Sequence, residues 1–316
     1  MSRDRSGRTL SACVVVALVF WVGSNALLER SAWFWRAALA GDQGRALHYP
    51  LTVEARLALR RAQSARLVVL GSSVAQADVG WRRVATRWRL ARGELVVVAV
   101  PGGQGFELAQ LAPTLADLEP RRVLLFVTPW LLHDEVDWQG TRFYHPRVAF
   151  DALGWRRSLA RHDLHAAGLL AASHVVLRRR DALRDQLFGE ARYRAKDRAA
   201  AARRQRRAEA RPEQFSCANP HLDALAAAAE IFDRGGAEVW LVPVPVADRR
   251  LPADAEARLE HCLADFAARH GVERLRRTEL PAMRAADFAD PVHLNAAGRR
   301  RFTSALLELL PAPPTG

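Results

Sequence analysis

The sequence predicts an α/β protein built around a parallel sheet, and two features of the chain support this. Short apolar runs rich in Val and Leu alternate with longer amphipathic segments, which is the pattern of strands that are buried on both faces and joined by helices. The run at 66–70 leads directly into Gly71, as expected where a buried strand ends in a tight turn. We therefore expect a doubly wound sheet whose functional site lies at the carboxyl ends of its strands.

The elements can be placed in order along the chain. The apolar runs predict four strands, at 66–70, 94–100, 122–127 and 237–244, and we predict a short fifth strand at 272–275. The amphipathic segments predict helices at 106–118, 221–234 and 254–270, with a last helix after His293. Behind the first strand, Trp81, Val84 and Trp88 recur at helical spacing, which indicates side chains that face the core.

Ser73 is the candidate nucleophile. It follows the first strand in the run Gly71-Ser72-Ser73, at the edge of the sheet where strand ends and helix amino termini converge. A serine hydroxyl is a poor nucleophile unless a base removes its proton and a third group orients that base. Without such partners the same run would indicate only a turn or a helix cap.

Asp290 and His293 are the candidate partners of Ser73. They lie three residues apart in a loop that opens the last helix. This spacing lets the carboxylate reach one imidazole nitrogen and leaves the other nitrogen free to face the serine. Alone the pair would indicate a helix cap and a surface histidine, but together with Ser73 it predicts a Ser–His–Asp site.

These blocks resemble the SGNH (GDSL-type) hydrolase superfamily. The resemblance rests on Gly71-Ser72-Ser73, on a glycine turn at Gly102 and on Asp-Pro-Val-His-Leu-Asn at 290–295, and it covers residues from about 64 to 310. It implies a flavodoxin-like three-layer α/β/α fold with Ser73 as nucleophile, His293 as general base and Asp290 as the group that orients this base. It also implies that the backbone amides of Ser73 and Gly102 stabilise the oxyanion.

Two blocks depart from the usual pattern of that superfamily. The family's Gly-Asp-Ser-Leu is Gly-Ser-Ser-Val here, and its third block, Gly-x-Asn-Asp, is replaced by Val-Thr-Pro-Trp at 127–130. Both departures resemble membrane-anchored members, namely DltD-like proteins and the partners of membrane-bound O-acyltransferases. Loss of the Asn removes one expected oxyanion donor, a contribution worth about two to three orders of magnitude in turnover.

The segment after the third strand should border the same crevice. Thr128 and Trp130 are the candidate substrate-binding residues there. His133 stands beside two carboxylates at 134–135, but contiguous side chains rarely point at one ion. We therefore expect no metal site and no cofactor.

The first 36 residues predict a cytoplasmic basic tip and a transmembrane signal-anchor. Arg3, Arg5 and Arg8 precede an uncharged segment at 9–28, whose length matches the roughly 30 Å hydrocarbon core of a bilayer. The basic flank should stay in the cytoplasm. This predicts a single-pass protein of the inner membrane with a periplasmic or otherwise extracytoplasmic catalytic domain. A cleaved signal peptide is the alternative, although its apolar core is normally only about 7 to 15 residues long.

Beyond the anchor we predict three regions. A linker helix occupies 37–63, the SGNH-like domain 64–310 and a short tail 311–316. A mostly helical insertion at about 140–218 interrupts the domain, and its segment 178–211 carries thirteen basic residues against five acids. This segment either binds anionic lipid head groups or an acidic envelope polymer, or it is a solvated helix.

Charge and cysteine content narrow the class of protein. The formal net charge is +13, but Lys196 is the only lysine among 47 basic residues, and no nucleic-acid-binding motif accompanies the charge, so we expect no nucleic-acid partner. Cys13 lies in the predicted anchor. Cys217 and Cys262 are the remaining pair, and the sequence leaves open whether they form a disulfide or two independent thiols.

Together these features predict a membrane-anchored, extracytoplasmic serine acyl esterase or acyltransferase. We expect it to act on an envelope polysaccharide or polymer through an acyl-serine intermediate, and the motif residues serve hydrolysis and transfer equally well. Its expected partners are the bilayer, an envelope glycan or polymer as acceptor, and a membrane-bound O-acyltransferase. The alternative is a catalytically degenerate envelope scaffold that binds a glycan or such an acyltransferase.

Overall fold

The computed structural model describes residues 3–31, 33, 64–100, 105–129, 216–218, 220–245, 253–290 and 292–315. The strands are β1 (Leu67–Ser72), β2 (Leu95–Val100), β3 (Arg122–Val127), β4 (Glu238–Pro243) and β5 (Glu273–Arg274). The helices are α1 (Arg3–Arg30), α2 (Ser73–Ala77), α3 (Trp81–Arg87), α4 (Gly105–Ala116), α5 (Pro220–Arg234), α6 (Ala253–His270) and α7 (Ala296–Leu309). Short 3₁₀ turns at Arg277–Glu279 and Ala285–Asp287 precede α7.

The five strands form one parallel sheet in the order β2-β1-β3-β4-β5. This is the flavodoxin-like strand order of a doubly wound sheet. The predicted parallel α/β fold is therefore confirmed. Because the order reverses at β1, the carboxyl end of β1 lies at the switch point where such sheets bind ligands.

Hydrophobic cores cover both faces of the sheet. All six residues of β1 are buried. Its side chains alternate between the two cores, since Val68 and Leu70 belong to one buried cluster and Leu67 and Val69 belong to the other. Side chains of α4, α5 and α6 fill the first core, and those of α2, α3 and α7 fill the second. The domain thus has three layers.

The tryptophans after β1 face the core as their spacing predicts, and they lie at the start of α3 and directly after its end. Val84 and Trp88 are buried. The Trp81 ring meets Phe126 of β3 edge-on with ring centroids 5.9 Å apart, and its Nε1 donates to the carbonyl of Ala75 at 2.8 Å. These contacts tie α3 to α2 and to the sheet, just behind the end of β1.

The chain terminus packs against the amino ends of the strands. Arg122, buried at the start of β3, donates from Nε to Glu238 at 2.8 Å and also to the carbonyl of Pro311. Arg66 donates from Nη2 to the carbonyl of Pro313 at 3.1 Å. The tail therefore covers the edge opposite to the carboxyl ends, which leaves the carboxyl edge for the site.

A disulfide joins Cys217 to Cys262 of α6, which decides the alternative that the sequence leaves open. The disulfide connects the segment that precedes α5 to helix α6.

Several predictions lie outside the described residues. They are the linker helix at 37–63, Gly102, Trp130 and nearly all of the insertion. Among the helices in the described part of the chain, none is long and apolar enough to cross a membrane.

Candidate active site

The end of β1 places Ser73 at the carboxyl edge of the sheet. Ser72 is the last residue of the strand and Ser73 the first of α2, so the chain turns from strand to helix at this point. A Cβ on Gly71 would lie 2.7 Å from the Cβ atoms of Ala75 and Phe126, so this tight approach of helix, strand and neighbouring strand requires glycine. The Ser73 side chain remains partly exposed and is open to a ligand.

Asp290 and His293 lie in the loop that leads into α7. One oxygen of the Asp290 carboxylate, Oδ1, accepts the backbone amides of Val292 at 2.9 Å and His293 at 2.8 Å. A side chain that accepts amides two and three residues ahead folds a loop into a tight turn. The other oxygen, Oδ2, lies 2.8 Å from Nδ1 of His293. The same carboxylate thus shapes the loop and orients the imidazole.

The environment of Asp290 keeps its carboxylate ionised. Partial burial acts to raise the pKa of Asp290, but the hydrogen bonds from the Val292 amide and from the His293 side chain and amide outweigh it and hold the pKa below its usual value. An ionised carboxylate can only accept hydrogen bonds. The proton between the two groups therefore resides on His293 Nδ1, and in the neutral imidazole Nε2 is left as an acceptor.

His293 and Ser73 meet across the site. His293 Nε2 lies 2.9 Å from Ser73 Oγ, although the two residues are 220 positions apart in sequence. With Nδ1 protonated, Nε2 accepts the hydroxyl proton of the serine. The three residues predicted from the sequence are thus brought together in one hydrogen-bonded chain that runs from serine to imidazole to carboxylate.

Two further hydrogen bonds hold the segment of Ser73 against the segment of His293. Asp78 follows α2, and its Oδ1 accepts the amide of Leu294 at 2.8 Å. The amide of Gly80 donates to Thr303 Oγ1 of α7 at 2.9 Å. Sequence reasoning missed Asp78, since an acid five residues after a serine carries no recognisable pattern and its partner lies 216 positions away.

The remaining predicted site residues have different outcomes. The amide of Ser73 belongs to the first turn of α2, where helical amides have no partner within the helix, so it can donate to a ligand. Thr128 follows β3 at the same edge of the sheet and is buried. Gly102 and Trp130 lie outside the described residues. Within the described residues, no cluster of three or more His, Cys, Asp or Glu side chains could hold a metal ion.

No protein-family model matches the chain, and no curated protein matches it. Among solved structures, the chain is similar to TesA, with 14% identity and a TM-score of 0.40 over 77% of this chain and 96% of TesA. It is also similar to a GDSL-like lipase from Bacteroides thetaiotaomicron VPI-5482, with 12% identity and a TM-score of 0.38 over 84% of this chain and 100% of the lipase. These likenesses are too low to carry an argument, so function is inferred from the geometry of the site.

Proposed function

We propose that this protein is a serine acyl esterase or acyltransferase. The observation that carries the proposal is the chain of two hydrogen bonds, 2.9 Å from Ser73 Oγ to His293 Nε2 and 2.8 Å from His293 Nδ1 to Asp290 Oδ2. A nucleophile within reach of a base that is itself oriented by a carboxylate is the arrangement that activates serine on unrelated folds. The SGNH-like blocks of the sequence assign the same roles to the same residues.

The first half of the reaction acylates Ser73. His293 Nε2 removes the hydroxyl proton while Ser73 Oγ attacks the carbonyl carbon of an ester, and Asp290 stabilises the imidazolium that forms. The amide of Ser73 donates to the resulting oxyanion, with Gly102 proposed as the second donor. When the tetrahedral intermediate collapses, the bond to the leaving alcohol breaks, His293 returns the proton to that alcohol, and an acyl-serine remains.

The second half decides between the two activities. His293 deprotonates an incoming hydroxyl, which attacks the acyl-serine and releases Ser73. Water as the acceptor makes the protein an esterase, and a hydroxyl of an envelope glycan or polymer makes it an acyltransferase. We favour transfer, with a membrane-bound O-acyltransferase as partner. The reason is that the blocks Gly-Ser-Ser-Val and Val-Thr-Pro-Trp resemble those of proteins that act as partners of such acyltransferases. Thr128 and Trp130 are the proposed contacts to the substrate.

We also propose that the N-terminal segment attaches the protein to the inner membrane, with the catalytic domain outside the cytoplasm. Support comes from the uncharged segment at 9–28 behind three arginines and from the exposed apolar side chains of α1, among them Val16, Val19 and Phe20. Recovery of the full-length chain in the membrane pellet after a carbonate wash is expected. Its release into the supernatant would contradict the attachment.

Ester turnover by the purified full-length protein tests the catalytic proposal. With p-nitrophenyl acetate, Ser73→Ala should lower turnover by about three orders of magnitude or more. Ser72→Ala is the matched control, because Ser72 is adjacent and buried and its side chain makes no capping hydrogen bond to α2; it should retain turnover. Equal loss in both variants would contradict the assignment of Ser73, and an inactive but folded wild type would favour the non-catalytic scaffold.

Adding a glycan acceptor to the same assay separates the two activities. A transferase should place the acetyl group on the glycan in a Ser73-dependent manner, and mass spectrometry of the glycan detects it. An esterase should release acetate at a rate that the glycan does not change.

A further inference from the structure

Asp78 is a buried carboxyl group for which the mechanism above has no use. Its side chain is fully buried. Oδ1 accepts the Leu294 amide at 2.8 Å, whereas Oδ2 is buried without a hydrogen-bond partner among the described groups. Burial raises the pKa of Asp78 to about 6, so the group is still ionised at neutral pH. A buried and half-satisfied carboxylate destabilises a fold, and its presence calls for an explanation.

The position of Asp78 connects the two halves of the site. The residue caps the carboxyl end of α2, with its own amide donating to the carbonyl of Val74 at 2.9 Å, and Ser73 begins the same helix. Its carboxylate holds the amide of Leu294, the residue directly after His293. Through this side chain, the segment that carries the nucleophile is thus bonded to the backbone amide directly after the base.

The charged groups that act on Asp78 are two residues of the candidate active site and one arginine of α7. His293 favours its ionised form, Asp290 opposes it, and Arg299 of α7 favours it. Electrostatic interaction is reciprocal, so an ionised Asp78 stabilises the protonated imidazole. The protonated imidazole is the species that forms when Ser73 attacks.

We propose that Asp78 is a positioning residue for the reaction of Ser73. Its carboxylate fixes the Leu294 amide and thereby sets the His293 ring against the serine, and its negative charge favours the imidazolium of the attacking state. The inference rests on the proposed function, since positioning matters for a reaction only if His293 acts as the base.

Three variants of the full-length protein separate geometry, charge and stability. Asp78→Asn keeps the shape and the oxygen that accepts the Leu294 amide but removes the charge. Asp78→Ala removes both the acceptor and the charge. Thr303→Val is the matched control, because it breaks the other hydrogen bond between the same two segments and changes no charge. Rates with p-nitrophenyl acetate are divided by the concentration of active sites, titrated with a fluorophosphonate.

The three variants should differ in kcat and in pH dependence. Asp78→Ala should lower kcat by about 10- to 100-fold with little change in KM, since a small misplacement of a catalytic group has an effect of this size. Asp78→Asn should recover most of kcat but move the acid limb of kcat/KM to lower pH by about half a unit to one unit. Thr303→Val should leave the acid limb in place. Wild-type kcat per active site in Asp78→Ala, or an acid limb of Asp78→Asn that coincides with that of Thr303→Val, would overturn the proposal.

Hydrogen exchange tests the positioning contact without turnover. If the wild type shows no Ser73-dependent activity, the proposed function fails, and exchange of the Leu294 amide then decides whether Asp78 holds this backbone. Protection in the wild type and in Asp78→Asn, with exchange at least about tenfold faster in Asp78→Ala, supports the contact. Equal exchange in the wild type and Asp78→Ala overturns it. If Asp78→Ala does not fold, the acid limb of Asp78→Asn against that of Thr303→Val decides the question.

Discussion

The stability of this protein should fall as Asp78 ionises, and Asp78→Asn should remove this dependence. The carboxyl has a pKa of 3.8 when solvated and of about 6 when folded, mainly because burial penalises its charged form. The folded state therefore binds the proton more tightly than the unfolded state. This contribution to stability is complete below pH 3.8 and is lost as the pH rises through 6. With about 1.4 kcal/mol for each pKa unit, the free energy of unfolding should lose about 3 kcal/mol over this range.

Urea denaturation measures the free energy of unfolding of the full-length wild type and of Asp78→Asn at each pH. Both proteins are kept in one detergent, and unfolding is followed by circular dichroism. The free energy of unfolding of the Asn variant minus that of the wild type should increase by about 2.4 kcal/mol between pH 4 and pH 7, because part of the stabilisation is already lost at pH 4. Titrating groups that do not interact with Asp78 are common to both proteins and cancel in the difference, whereas His293 and Asp290, which interact with Asp78, add a smaller pH-dependent part. Thr303→Val should show a difference from the wild type that does not vary with pH. A constant difference for Asp78→Asn as well would refute the reasoning that burial raises the pKa of Asp78.

Three further predictions concern stability. Reduction of the Cys217–Cys262 disulfide, which closes a loop with a sequence separation of 45, should lower the free energy of unfolding by about 4 kcal/mol; an unchanged urea midpoint in the presence of reductant would contradict this. Asn295→Ala removes the side chain that caps α7 by accepting two amides and that donates from Nδ2 to the carbonyl of Ala286 at 2.6 Å, and it should cost about 1 to 2 kcal/mol. Asn295→Ser keeps an oxygen that can cap the helix and places no carboxylate against that carbonyl, so it should lose less than Asn295→Ala in the same assay. Gly298→Ala should lower the thermal midpoint although alanine normally favours a helix, because the new Cβ would lie 2.3 Å from the carbonyl oxygen of Asp287; a raised midpoint would show that this contact relaxes freely.

Much of the sheet could be predicted because its strands are local apolar runs with clear ends. β3 has the predicted bounds, since Arg122 begins the apolar run and Pro129 follows it closely. β5 is shorter than the predicted 272–275, because only Trp240 and Leu241 of β4 pair with it. Strand length at a sheet edge depends on the partner strand, and sequence periodicity contains no information about that partner.

The residues of the candidate site likewise fall into those that the sequence could indicate and those that it could not. Ser73 could be singled out because it closely follows an apolar run that leads into Gly71, and Asp290 with His293 because their contact spans only three residues. Asp78 could not be singled out, since its burial and its bond to Leu294 arise only when segments 216 positions apart meet. The disulfide was undecided for a related reason, because two cysteines 45 positions apart carry no information about their separation in space.

Labelling with a fluorophosphonate tests the central claim, that Ser73 is an activated nucleophile, most directly. Intact-mass spectrometry of the full-length protein should show one adduct, and peptide mapping should place it on Ser73. The adduct should persist in Ser72→Ala, disappear in Ser73→Ala, and form far more slowly in His293→Ala because the serine then lacks its base. An adduct that survives in Ser73→Ala, or a folded wild-type protein that remains unlabelled, would contradict the claim.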